Sequence, residues 1–156
     1  MTETPETTAT TAREFTVTRT FAAPRDLVFS AWTDPRQVTH WWGPHDFTTP
    51  LSTISMDLRP GGTWRACMVS DADGTEYPTG GVFREVVPPE RLVFTWSDPE
   101  APDDPALESV VTVTFTDLGD STEMTFHFAA TRDLDGDVRD GWLECIERLA
   151  GHLART

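Results

Sequence analysis

Four titratable side chains stand where they could move protons inside an apolar space: His45, Asp57, Tyr77 and Glu85. A carboxyl, phenol or imidazole held among apolar groups has its pKa displaced and can act as a general acid or base. Glu85 lies two residues after Phe83 on an expected strand, so the two share a face and Glu85 is a candidate to point inward. Its competing reading is a cross-strand pair with an arginine such as Arg65, or plain exposure.

Other chemistries find little footing. No two of His40, His45, His127 and His152 stand two, three or four residues apart. His40 and His45 with Asp46 are the nearest approach to a ligand set, and no metal is expected. Cys67 and Cys145 have neither metal-type nor redox-type spacing. They read as reduced thiols, which places the chain in the cytoplasm. There is no Gly-x-Ser-x-Gly elbow and no phosphate-binding glycine loop. No catalytic residue and no cofactor are assigned.

The element that must position these groups is the last one, Asp137 to Ala154. Val138, Trp142, Cys145, Ile146, Leu149 and Leu153 recur at the spacing of one helical face, with Arg139, Asp140, Glu144, Glu147 and Arg148 on the other. Such a helix is roughly 27 Å long. Most of what precedes it reads as strand: Glu14–Phe21, Thr49–Leu58, Thr63–Ser70, Glu76–Val87, Arg91–Trp96, Ser109–Thr116 and Thr122–Phe128. Two short helices, from Pro24 through Trp32 and from about Pro35 to Trp41, form a bracket between the first two strands. A bulge or bend is expected at Gly80-Gly81. Residues 1–13 are Thr-rich and nearly free of apolar groups, which reads as a disordered tail ahead of one domain, 14–156. Residues 97–108 read as an acidic surface loop.

The fold class that follows is α+β: an antiparallel sheet of about seven strands wrapped around one long C-terminal helix. Its inner layer gathers Trp64, Phe83, Phe94, Trp96, Phe128 and Trp142, with Trp41, Met68 and Ile146 beside them. These side chains either fill a core or line a pocket for an apolar or aromatic ligand. The polar groups of such a pocket would be His45, Tyr77 and Glu85.

Bulk properties narrow the partners. The 156 residues carry 26 acids against 12 bases, a formal net charge of −14. That disfavours nucleic acid and anionic membrane surfaces, both of which need basic patches. No apolar run approaches membrane-spanning length, and the first 13 residues lack the apolar stretch of a secretory signal.

The order of elements is joined by Phe21-Ala22-Ala23-Pro24, Ala31-Trp32-Thr33-Asp34-Pro35, Trp41-Trp42-Gly43-Pro44, Arg59-Pro60-Gly61-Gly62-Thr63-Trp64-Arg65, Pro88-Pro89-Glu90-Arg91-Leu92 and Gly141-Trp142. Together these resemble the START-like (SRPBCC) superfamily, and within it the family named after the activator of the heat-shock protein 90 ATPase. The resemblance implies a helix-grip fold with a cavity between sheet and C-terminal helix. Where relatives often carry small glycines before Phe47, this chain has His45-Asp46. Three functions are compatible with the resemblance. The first is a stand-alone domain binding a small hydrophobic molecule. The second is a cyclase- or dehydratase-like enzyme using the same cavity. The third is a chaperone-activator-like module with a protein partner. Homodimerisation is left open.

Overall fold

The computed structural model describes residues 6–10, 14–96, 109–130 and 136–155, with side chains from 14–96, 109–130 and 138–155. The expected acidic loop at 97–108 lies outside them. So does most of the expected tail. Within the tail, however, Glu6–Thr10 forms β1 and pairs antiparallel with β2, Glu14–Phe21. Threonine is a good strand former, and β2 would otherwise leave an unpaired edge.

The bracket follows as α1 (Arg25–Thr33) and α2 (Pro35–Val38). Asp34 separates them; its side chain accepts from the backbone N–H of Arg36 and so caps α2. The second helix is shorter than the sequence suggests, ending before Trp41. The expected strand Thr49–Leu58 is also broken. In its place stand β3 (Phe47–Thr48), a 3-10 turn at Leu51–Thr53 and β4 (Ser55–Met56). Pro50 has no N–H to give a ladder, and its fixed φ starts the turn instead. β3 and β4 both pair with β5 (Thr63–Ser70), at its two ends.

From β5 the chain meanders through β6 (Glu76–Val87), β7 (Arg91–Trp96), β8 (Ser109–Asp117) and β9 (Thr122–Ala130). The nine described strands form one curved antiparallel sheet in the order β1-β2-β9-β8-β7-β6-β5-β3, with β4 beside β5. The last element is α3, Gly136–Ala154. Its apolar face, Trp142, Cys145, Ile146, Leu149 and Leu153, is buried as its spacing requires. The sheet meets it with Phe15 and Val17 of β2, Trp64 and Ala66 of β5, Phe94 of β7, Val111 and Val113 of β8, and Met124, Phe126 and Phe128 of β9. This is a helix-grip architecture. Among the described residues no helix is long and apolar enough to cross a membrane.

Candidate functional site

The site is a tryptophan seam between sheet, bracket and α3. Trp32 comes from α1, Trp41 and Trp42 from the turn after α2, Trp64 from β5, Trp96 from β7 and Trp142 from α3. Ring centroids run Trp32–Trp41 at 4.7 Å, Trp41–Trp42 at 5.6 Å, Trp42–Trp64 at 5.3 Å, Trp42–Trp96 at 5.6 Å and Trp96–Trp142 at 5.1 Å. Phe94 meets Trp64 at 5.5 Å, and Phe83 meets Phe94 at 6.4 Å. Phe128 sits 6.2 Å from Trp142. Trp96 is partly exposed, whereas the other five tryptophans are buried. Ile146 is fully buried in the same cluster, and Met68 is half-buried at its rim. The nine apolar residues singled out from sequence are therefore brought together. Trp32 and Trp42 join them, though sequence reasoning used them only as bracket and motif residues.

The indole N–H groups are treated unequally. Trp41 Nε1 donates to the Ala31 carbonyl at 2.9 Å, and Trp64 Nε1 donates to the Thr95 carbonyl at 3.0 Å. The Nε1 donors of Trp32 and Trp42 are buried and have no acceptor among the described residues. A buried donor without a partner carries the full cost of its lost hydration.

The backbone under Trp41 and Trp42 is fixed from three directions. Thr49 Oγ1 donates to the Trp42 carbonyl at 2.9 Å, and Cys145 Sγ donates to the Trp41 carbonyl at 3.5 Å. Arg148 Nη1 lies 3.3, 2.9, 3.1 and 3.1 Å from the carbonyl oxygens of Trp42, Gly43, Pro44 and Phe47. Glu144 Oε1 accepts from the His45 backbone N–H at 3.0 Å. Helix α3 thus straps the 42–47 loop through the face that its sequence marks as solvent-facing. On the same face Glu147 pairs with Arg19 of β2. The loop needs this support, because Gly43 and Asp46 hold positive φ of 98° and 70°. Gly43 also lies against Met68: a Cβ there would stand 3.1 Å from the Met68 sulfur. Replacing Arg148 by methionine keeps the apolar stem but removes the donors. It is expected to cost about 1.5–3 kcal/mol, as for hydrogen bonds made by a charged group. Amide exchange should quicken across residues 43–47; unchanged exchange there would refute the strap.

The titratable candidates stand elsewhere. Period-two counting places Glu85 on the same face as Phe83, but a bulge between Phe83 and Glu85 shifts the register by one residue. Val86 takes the inner position, and Glu85 is exposed, 3.1 Å from Arg91 Nε. Tyr77 is exposed with its ring on Phe47 at 5.5 Å. Asp57 is exposed and paired with Arg59 at 2.9 Å. His45 is exposed beside the strap. The polar groups expected in the seam therefore lie outside it. Burial raises the Cys145 thiol to about 12, so it stays protonated and is no nucleophile.

At the far end of α3, the His152 ring stacks on His40 at 5.3 Å, and its Nε2 lies 3.3 Å from Gln37 Oε1. Burial, then the charges of His40 and Arg155, hold its pKa below the ordinary imidazole value. The unfolded chain therefore binds this proton more readily than the folded one. The stability that His152 contributes is complete above about pH 6.5 and is lost as pH falls through the lower folded value. Unfolding midpoints should drop as the pH falls below about 6.5. They should drop less steeply in His152→Gln, and identical slopes would remove this pair from the account.

Comparison with known proteins accords with this geometry. No curated protein matches the chain. A solution structure of a protein from Arthrobacter aurescens superposes with a TM-score of 0.84 at 25% identity, covering 97% of this chain and 92% of that one. A protein from Mycobacterium smegmatis gives 0.76 at 25% identity, covering 96% and 99%. The AHSA1 protein from Silicibacter pomeroyi gives 0.74 at 26% identity, covering 91% and 98%. A family model described as "Activator of Hsp90 ATPase homolog 1-like protein" matches residues 22–154, which is nearly the whole domain, and the chain belongs to that family.

Proposed function

We propose that this domain binds a small hydrophobic or aromatic molecule between the sheet and α3. The observation that carries this reading is the run of all six tryptophans through one seam, with only Trp96 reaching the surface. Indoles are costly core fillers, because each brings an N–H that must be paired; aliphatic side chains pack a plain core without that demand. Flat rings edge to face also offer the kind of wall that grips a planar guest. The setting is a reducing cytoplasm, in keeping with the free thiols of Cys67 and Cys145.

A ligand bound only by the folded state raises the unfolding midpoint, by about 2.7 kcal/mol of stability at a hundred times its dissociation constant. Fluorene added to the protein should raise that midpoint and change tryptophan fluorescence, with little dependence on salt. Ala66, buried on β5 between Trp64 and Met68, supplies the control. Ala66→Phe should abolish the fluorescence response and leave the fold intact. A filled core would instead lose about 1–3 kcal/mol on overpacking. A destabilised Ala66→Phe together with no response from the wild type would replace ligand binding by a packed core.

A further inference from the structure

We infer that the ligand is uncharged and presents a hydrogen-bond acceptor, of the aromatic ketone class, to the indole N–H of Trp42 and, deeper in the seam, of Trp32; this rests on the binding reading above. Trp42 is 3% exposed and Trp32 is 2% exposed, and neither Nε1 has an acceptor among the described residues. Their neighbours explain why. Trp42 packs against the rings of Trp41, Trp64, Trp96 and Trp142. Trp32 packs against Trp41, Phe94, Phe126 and Trp142. No ring in either set has an oxygen to offer. An indole nitrogen can only donate, so whatever completes it must accept.

The backbone carbonyls nearby are committed elsewhere. That of Ala31 takes Trp41, that of Thr95 takes Trp64, and those of Trp41 and Trp42 take Cys145, Thr49 and Arg148. Trp96 is the partly exposed member of the seam and stacks on Trp42 at 5.6 Å with 18° between planes.

Charge is excluded by what surrounds the seam. Among the described residues Arg148 brings a cation to the edge of the seam, its Nη1 3.3 Å from the Trp42 carbonyl. Cys145 is held neutral, and Arg148 spends its Nη1 on the 42–47 loop. An unpaired ion would bear its whole desolvation cost there.

Fluorene and 9-fluorenone differ only by one carbonyl and make a matched pair of probes. Relief of one unmade donor corresponds to about a tenfold gain in affinity. Calorimetric titration of the wild-type protein should therefore show 9-fluorenone binding about tenfold tighter than fluorene, with fluorene-9-carboxylate weakest. Trp42→Phe keeps a ring and removes the N–H, so it should erase most of that ratio while fluorene still binds. Should Trp42→Phe fail to fold, the wild-type ratio is read with the Trp42 indole proton, which should move downfield with 9-fluorenone but not with fluorene. Equal binding of fluorene and 9-fluorenone would overturn the inference and leave the binding reading intact. The same ratio persisting in both Trp42→Phe and Trp32→Phe, or a preference for the carboxylate, would also overturn it. Binding of none of the three would remove the binding reading itself.

Discussion

Trp142→Ala is expected to lower stability by about 3–5 kcal/mol, the usual range for emptying a buried tryptophan site. Trp142 is 6% exposed, on the first buried turn of α3's described apolar face. Its ring meets Phe126 at 4.7 Å, Trp96 at 5.1 Å, Trp42 at 5.6 Å, Phe128 at 6.2 Å and Trp32 at 6.5 Å. Sheet, bracket and helix therefore touch through this one side chain. Rigid neighbours on three elements cannot close over the space it leaves, so the cavity persists and its cost is paid in full. Typical domains hold only about 5–15 kcal/mol in total. Chemical denaturation should show the midpoint shift with the slope unchanged. A loss under about 1 kcal/mol would mean that Trp142 is not the joint between the three layers.

Gly81→Ala should cost about 2–4 kcal/mol, by crowding plus the loss of bonds that crowding displaces. A Cβ at Gly81 would stand 1.8 Å from the Thr95 carbonyl oxygen and 2.8 Å from Thr95 Oγ1. Those are not idle atoms. The carbonyl holds the Trp64 indole N–H, and Oγ1 accepts from the Val82 backbone N–H at 2.9 Å. Moving β7 away to admit a methyl group therefore also releases Trp64 from its place in the seam. The expected mark is a thermal midpoint lowered together with altered Trp64 fluorescence. A substitution tolerated without either would show that β6 and β7 separate freely at this point.

Much of the fold is legible in the sequence because burial imposes a period. The α3 face from Trp142 to Leu153 is read directly from its spacing, and so are the inner positions of β5, β8 and β9. Reading fails where one local event breaks the period. The bulge after Phe83 gives β6 an extra residue, so counting by twos sends Glu85 inward while the chain sends it out. Pro50 divides a segment whose composition suggests one strand.

The seam is legible in part. Trp64, Phe94, Trp96 and Trp142 follow from strand and helix faces. Trp42 does not, because it sits in a turn where no period applies, and Trp32 shows only that α1 has an apolar side. Arg148 escapes for a different reason. A helical wheel counts a charged residue as solvated, yet its partners here are backbone carbonyls of residues 42–47, which no composition reveals. Two signals were nonetheless in the chain. Adjacent Trp41-Trp42 before Gly43-Pro44 marks a loop rich in indole, and an arginine on the neighbouring helix turn is a natural donor for such a loop's carbonyls.

The most direct test of ligand binding between sheet and α3 is the indole region of a ¹H–¹⁵N spectrum, where the six tryptophans give six N–H signals. Adding 9-fluorenone to saturation should move the signals of Trp32, Trp42, Trp96 and Trp142 together, at one-to-one stoichiometry. All six signals unmoved, with shifts confined to backbone amides near exposed apolar residues such as Leu51 and Leu58, would contradict the account and place the apolar contact on the outer surface.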